Sequence, residues 1–385
     1  MSKHRFLSAA VLVAFGLSLL FSNFAWAADE YRVGCAFAIT GKASWLGEPQ
    51  RATVEMIQKQ INDSGGINGK KLVLFIEDTH GENTRAVNAI KKLVQRDKVA
   101  AIIGPSRSGT SMAAIPQVTR AGVPMISCAA AEAITTPVAQ RKWVFKVAPN
   151  DSDAVRRIYE HMQTRGLEKV GLITGTTGFG NAGREQLKGL AAEYAIEIVA
   201  DETYSPGDTD MTAQLVGIKN AGAQAVINWS IVPAQSIVPQ NMRQLNLGIP
   251  LYQSHGFANV KYAEAAGEAA EGTLFPAGRI MAVDTIDPEH PQAEALKSYK
   301  EAYETATGDQ VSTFGGHAYD GLWLVVEALR AVGDDPAKIR DWLETARFTG
   351  IGGVFEMSPQ DHCGLDKEDF EMLTVKDGKF VVYEP

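Results

Sequence analysis

Residues 99–127 read VAAIIGPSRSGTSMAAIPQVTRAGVPMIS, and they hold a whole βαβ unit in small compass. Val99 to Ile103 is a short apolar run of strand length, too uniform to be a half-exposed strand. Gly104 to Thr110 is a loop rich in glycine, proline and hydroxyl residues. A helix follows and stops near Gly122, and Val123 to Ser127 is the next apolar strand. Strands that are apolar throughout belong to a parallel sheet covered on both faces. The same unit recurs on both sides of this stretch. Upstream, Tyr31 to Ile39 and Lys71 to Glu77 read as strands, with helices over Glu48 to Ser64 and Asn83 to Arg96. Downstream comes a strand at Trp143 to Val147. The pattern then restarts: helix Asp151 to Arg165, strands at Lys169 to Thr174, Ile196 to Glu202, Ala223 to Trp229, Leu251 to Gln253 and Thr273 to Arg279, and helices between them, including one over Pro233 to Leu247. Long helices over Pro291 to Thr307 and Gly316 to Val332 come next, then a third over Pro336 to Ala346, a strand Val354 to Met357, and a hairpin turning at Asp377-Gly378. The expected fold class is therefore α/β, with two doubly wound parallel-sheet lobes. Ligands of such folds sit outside the carboxyl ends of the strands, here in a cleft between the lobes.

The chain has 385 residues, 45% of them hydrophobic and 21% charged, which fits a globular protein rather than a disordered one. One long apolar run exists, Phe6 to Phe21, preceded by Lys3 and Arg5 and followed by Ala25-Trp26-Ala27. This is the plan of an export signal over residues 1–27; the alternative, a membrane anchor, is disfavoured because the run is short of the ~20 residues of a span. No lipid-attachment motif precedes Cys35, so a soluble mature chain beginning near Ala28 is expected. Losing Lys3 and Arg5 takes the net charge from -8 to -10. So acidic a surface argues against nucleic acid and anionic membranes as partners. The three cysteines do not form a disulfide framework, and a Cys35–Cys128 bridge stays open.

Two glycine-bearing loops carry the chemical signals. Gly178-Phe179-Gly180-Asn181-Ala182-Gly183 has the spacing of a dinucleotide-binding turn, with Asp201 about 20 residues on, so a nicotinamide-dependent dehydrogenase is one reading. Residues 175–177 intervene between strand and first glycine, which weakens it; the other reading is a loop bringing backbone close to a ligand or the opposite lobe. The loop Gly104 to Thr110 joins a strand to a helix N-terminus, where N–H groups and the helix dipole favour an anion. Ser106, Ser108 and Thr110 add hydroxyls there and Arg107 a cation, but the lysine of a phosphate loop is missing. No nucleophile elbow and no metal-ligand spacing occurs, so neither a catalytic nor a metal site is expected. Trp45, Phe179, Trp229 and Tyr252 fall in or beside predicted cleft loops and point to an aromatic-lined pocket.

Nearly the whole chain resembles the leucine/isoleucine/valine-binding proteins, the periplasmic solute-binding components of branched-chain amino acid ABC importers. The resemblance is carried by Gly65 to Leu72 (GGINGKKL), Ile103-Gly104-Pro105, Gly122 to Ser127, Phe179-Gly180, Ala270-Glu271-Gly272 and Phe314 to Asp320 (FGGHAYD), in this order and spacing. It implies a type I periplasmic binding fold with a three-segment hinge: a first lobe over 28–148 plus 281–350 and a second over 149–280 plus 351–385. It also implies a monomer without cofactor, working with membrane permease and ATPase subunits; delivery to a sensor is the other role open to such a protein. In amino-acid-binding members the matching serine, here Ser108, holds the ligand carboxylate, and the backbone carbonyl at Ala129 assists. Elsewhere this chain departs from the pattern. A threonine is replaced by Ala131, tyrosines by Phe179, Ile231 and Leu46 (beside Trp45), and the acid that pairs the ligand ammonium by His255. An ammonium buried without its partner is disfavoured by several kcal/mol. The expected ligand is therefore a small aromatic or hydrophobic carboxylate without an α-ammonium; Phe275 to Arg279 also looks like members that take benzoate-like or cinnamate-like acids. Branched-chain or other amino acids, and amides or urea-like ligands, are the alternatives.

Overall fold

The apolar strand runs assemble into two separate sheets in the computed structural model, which describes residues 30–384. The export signal expected at 1–27 lies outside the described residues. The first sheet holds β1 (Glu30–Phe37), β2 (Lys71–Asp78), β3 (Ala101–Ile103), β4 (Met125–Ser127) and β5 (Val144–Lys146) in the order β2-β1-β3-β4-β5, all parallel. The second is built on β6 (Lys169–Gly175), β7 (Glu197–Tyr204), β8 (Ala225–Trp229), β9 (Leu251–Gln253) and β10 (Leu274–Gly278). A small pair, β11 (Arg347–Thr349) and β12 (Val354–Glu356), stands apart, and β13 (Phe370–Lys376) and β14 (Lys379–Val382) close the chain. The second sheet runs β14-β13-β10-β9-β8-β6-β7, with β13 alone running against the other strands, so that its pairings with β10 and β14 are antiparallel. The hairpin turns where expected: Asp377 and Gly378 both have positive φ, 52° and 71°, as a two-residue primed turn requires.

Alternation along β1 explains the first lobe. Val33, Cys35 and Phe37 face one core, with Val54 and Ile57 of helix Ser44–Asp63 and Leu322, Val325 and Leu329 of helix Thr313–Val332. Ala36 faces the other, with Ile90 and Leu93 of helix Asn83–Gln95 and Val118 of helix Ser108–Ala121. In the second lobe Leu172 packs on Ile158 and Leu187, while the next residue, Ile173, packs on Leu215 and Val238. The three cysteines are all free and buried, and burial raises their thiol pKa values.

Three connections join the lobes: residues 147–150 after β5, the segment after β10 that leads to helix Ala293–Thr307, and residues just before β13. The third lies further along than the sequence reading put it. Phe355, Met357, Cys363 and Leu365 join Phe145 and Val147 in the first lobe's core, so 351–365 belongs with that lobe and the second regains the chain at Phe370. The reason is an edge: β5 ends the first sheet, and the His362 carbonyl takes its Lys146 N–H at 3.0 Å while the imidazole stacks on Phe145 at 4.1 Å. The helix expected over Pro233 to Leu247 also divides, into a 3-10 turn Pro233–Ser236 and a helix Ile237–Gln244. Pro239 has no N–H to return to the Gln235 carbonyl, which instead accepts from Asn228 Nδ2 at 3.2 Å.

Candidate functional site: an interlobe cleft

In each sheet the strand order reverses beside the first strand of its lobe, between β1 and β3 in one and between β6 and β8 in the other. Ligands of open α/β sheets bind at such reversals. Trp45 and Leu46 follow β1, Arg107 and Ser108 follow β3, and Ala129 and Ala131 follow β4. Phe179 follows β6, Ile231 follows β8 and His255 follows β9. Every expected site residue thus lies beyond the carboxyl end of a strand, from both lobes. Leu46, Ser108, Ala129, Ala131, Phe179, Ile231 and His255 are all buried, so the lobes are closed on one another.

Two helix N-termini meet across the cleft. A Cβ on Gly178 would lie 2.8 Å from Gly109 Cα, so helix Gly178–Leu190 meets helix Ser108–Ala121 head to head with backbone against backbone. Both helix N-termini border the cleft, where their free N–H groups and positive dipole ends favour an anion beside them. The first helix has no side-chain cap, whereas Thr177 Oγ1 caps the second by accepting from Gly180 N at 3.2 Å. In the first loop the hydroxyls are already sorted. Ser106 Oγ donates to Gln50 Oε1 at 2.5 Å and accepts from Ala38 N at 3.0 Å. Thr110 Oγ1 donates to the Arg107 carbonyl at 2.8 Å. Ser108 Oγ only accepts, from Ala131 N at 3.4 Å, which leaves its proton for a ligand. The Arg107 guanidinium is turned to the Gly81 carbonyl, 2.8 Å away, and burial lowers its pKa.

The three glycines of the 178–183 turn have separate steric reasons. Gly178 admits Gly109; a Cβ on Gly180 would meet the Gly175 carbonyl oxygen at 1.7 Å; one on Gly183 would meet Trp229 Nε1 at 2.0 Å. Asp201 is engaged by Arg184 at 2.6 and 2.8 Å and by Lys188 at 2.9 Å. The motif is accounted for by packing and lobe contact. Tyr252, expected near the cleft, is directed into the second lobe, where its hydroxyl meets His161 Nδ1 at 2.9 Å.

The second-lobe wall is aromatic. His255 has ring centroids of Phe179, Trp229 and Phe370 at 5.2, 5.5 and 5.6 Å. Trp45 packs edge-on to Tyr262 at 5.1 Å, and the Tyr262 hydroxyl donates to the Ile231 carbonyl at 2.8 Å. At the hinge end a small cavity of ≈ 20 Å³ is lined by His255, His317, Phe370, Ile280 and Ile351. Burial lowers the His255 pKa to about 3, helped by His317 and the Lys146 ammonium, so its ring is neutral at physiological pH. His317 is also lowered to about 3, by burial and then Lys146. Lys146 itself is fully buried, its Nζ donating to the Ala148 and Ala130 carbonyls at 2.7 and 3.2 Å. Asp151, next to this lysine, has its pKa raised by burial to about 6. His317, Phe370 and Lys146 were not legible as site residues: they lie at a helix start and two strand ends far apart in sequence, and only the hinge crossings bring them together.

Residues 30–379 match the family model described as periplasmic binding protein. The chain belongs to the periplasmic binding protein family. The curated relatives that it resembles are named as Leu/Ile/Val-binding proteins. The "Leucine-, isoleucine-, valine-, threonine-, and alanine-binding protein" of Pseudomonas aeruginosa is 25% identical over 367 residues, 94% of this chain and 92% of that one. Among solved structures, an extracellular ligand-binding receptor from Rhodopseudomonas palustris HaA2 is 26% identical with a TM-score of 0.86, covering 92% of this chain and 99% of that chain. The branched-chain amino acid transporter substrate binding protein LivJ from Streptococcus pneumoniae, in complex with isoleucine, is 25% identical with a TM-score of 0.81, covering 93% and 100%. Periplasmic binding proteins of this type are extracytoplasmic ligand-binding components of ABC transporters, and the relatives are substrate-binding proteins rather than enzymes.

Proposed function

We propose that this binding protein delivers a small aromatic or branched hydrophobic carboxylate, lacking an α-ammonium, to the permease and ATPase of an ABC importer, from the periplasm after cleavage of residues 1–27. The observation that carries the reading is His255. Where the resemblance puts the carboxylate that pairs a ligand ammonium, this chain has a buried imidazole whose proton affinity is depressed by burial and by the nearby Lys146 ammonium. That potential opposes a second cation. At the other end the two facing helix N-termini and Ser108 Oγ provide for a carboxylate, with Ala129 and Ala131 beside them and Phe179, Ile231, Leu46 and Trp45 as an apolar wall. The amino acid alternative draws on the named ligands of two relatives, and on Asp151 Oδ2, a carboxylate oxygen buried without a hydrogen-bond partner. The test is His255→Glu, titrated with 3-phenylpropionate and phenylalanine. The variant is expected to lose affinity for the acid and gain it for the amino acid, because like charge meets the first and a partner returns to the second. Unchanged affinities for both would remove His255 from the ligand site.

A further inference from the structure

One peptide unit ties a buried charge to the carboxylate end of the cleft. Its N–H, on Ala131, donates to Ser108 Oγ at 3.4 Å. Its carbonyl, on Ala130, accepts from Lys146 Nζ at 3.2 Å. The unit is trans, so the two groups point in opposite directions, and ammonium, peptide and hydroxyl form one chain of hydrogen bonds. Such chains polarise: a cation on the carbonyl makes the N–H a stronger donor, and the hydroxyl that takes this N–H becomes a stronger donor of its own proton. Lys146 is fully buried at the end of β5, where the Ala148 carbonyl also holds it at 2.7 Å. Lysine is almost never buried in full unless an acid pairs with it. Here the acids beside it are engaged otherwise. Asp153 pairs with Arg156 at 2.9 Å, and Asp151 Oδ1 accepts from Glu132 N and Ser152 N, both at 3.0 Å. Among the described residues no carboxylate closes an ion pair with Lys146. A charge kept so dry without a counter-ion is costly to the fold, which an apolar residue of similar length would avoid. Its field nonetheless reaches the cleft, because it helps to hold both His255 and His317 below the ordinary histidine pKa.

We propose that Lys146 is a positioning residue for the ligand carboxylate: its ammonium, acting through the 130–131 peptide, fixes and polarises the Ser108 hydroxyl as a donor without itself touching the ligand. The Ala130 carbonyl also accepts from Asp151 N, at the start of the second lobe's helix Asp151–Thr164, at 3.3 Å, so the chain of bonds is anchored in both lobes beside the hinge. The inference rests on Ser108 as the partner of a carboxylate, and it stands whether or not the ligand also bears an α-ammonium. It explains why a lysine, rather than an apolar residue, ends the edge strand of the first sheet.

The experiment is calorimetry on the mature protein with whichever of 3-phenylpropionate, 4-methylpentanoate and leucine binds the wild type tightest, and with the primary amide of that compound. The amide keeps the skeleton and a carbonyl acceptor but loses the charge. Lys146→Met is expected to weaken the carboxylate at least tenfold and the amide by less than about threefold, because the polarised hydroxyl matters most to an anion. In a Ser108→Ala background the same change should cost the carboxylate less than about threefold, since the group it acts through is gone. Equal losses for both compounds would mark a lysine that only supports the wall, and a tenfold loss that persists without the Ser108 hydroxyl would mark a field acting directly on the ligand; either result overturns the proposal. Where the amide binds too weakly to titrate, the Ser108→Ala background decides. Should Lys146→Met not fold, nuclear magnetic resonance of the nitrogen-15-labelled wild type decides instead. Saturation with the carboxylate is expected to move the Ala131 amide proton downfield together with the Lys146 ammonium resonance, and an unmoved ammonium resonance would overturn the proposal. Leucine as the tightest of the three would refute the ammonium-free reading of the ligand and leave the test of Lys146 intact.

Discussion

A single methyl group at Gly178 should separate ligand binding from folding. The residue opens helix Gly178–Leu190 and has ordinary backbone angles, so alanine suits its own lobe and should leave the melting temperature unchanged or slightly higher. In the closed state the new Cβ would stand 2.8 Å from Gly109 Cα and equally near Gly109 N, against 3.4 Å or more for an ordinary contact. Both obstructing atoms are backbone at a helix start, so no side chain can swing aside and the lobes themselves must part. Overpacking of this kind costs about 1–3 kcal/mol. Because only the closed form holds ligand from both walls, that cost appears in the dissociation constant, as a weakening of roughly 5- to 150-fold. The assay pairs titration of Gly178→Ala against its best-binding carboxylate with a thermal melt of the unliganded protein. An unchanged dissociation constant would show that the two helix ends do not meet in the liganded state. A large fall in the unliganded melting temperature would show that the contact supports the fold rather than closure.

Ser108→Ala should weaken carboxylate binding by about 1–3 kcal/mol with little change in stability, since the charge-assisted bond is lost and the loop's other hydroxyls are held elsewhere; calorimetry with unchanged affinity would move the carboxylate off this serine. Gly183→Ala should destabilise the second lobe by about 1–3 kcal/mol, because its Cβ would strike the Trp229 ring at 2.0–2.4 Å; an unaltered melting curve would refute that packing. His317 binds its proton more weakly folded, near 3, than its ordinary 6.5, so the stability it contributes is complete above pH 6.5 and is lost as pH falls from there toward 3. A melting series from pH 7 to pH 5 should therefore fall more steeply for wild type than for His317→Phe, by about 1 kcal/mol or more at pH 5; parallel curves would mean that the ring is solvated.

Periodicity made the two sheets legible because apolar runs such as Ile102-Ile103 and Met125-Ile126 are short, unbroken and punctuated by Gly104 and Gly122. The same criterion passed over β11, whose three residues Arg347, Phe348 and Thr349 alternate with the outer two exposed and carry no apolar run. It also drew one helix through Pro239, where the backbone cannot continue the ladder. The cleft was legible through Ser108, Phe179, Ile231 and His255 because each follows a strand end in a recognisable loop. His317 and Lys146 were not, since nothing local marks a histidine in the first turns of a helix or a lysine ending a strand as neighbours of residue 255. Arg107 shows the converse: a cation in the right loop, committed to a carbonyl of its own lobe.

The central claim is that the cleft holds a carboxylate end and no ammonium, and matched pairs test it most directly. The wild-type protein, stripped of bound ligand and titrated calorimetrically, is offered 3-phenylpropionate against phenylalanine and 4-methylpentanoate against leucine. In each pair the carbon skeleton and carboxylate are shared and only the α-ammonium differs. At least one acid should bind tenfold or more tighter than its amino acid, a difference of about 1.4 kcal/mol or greater. Tighter binding of the amino acid in both pairs would contradict the account.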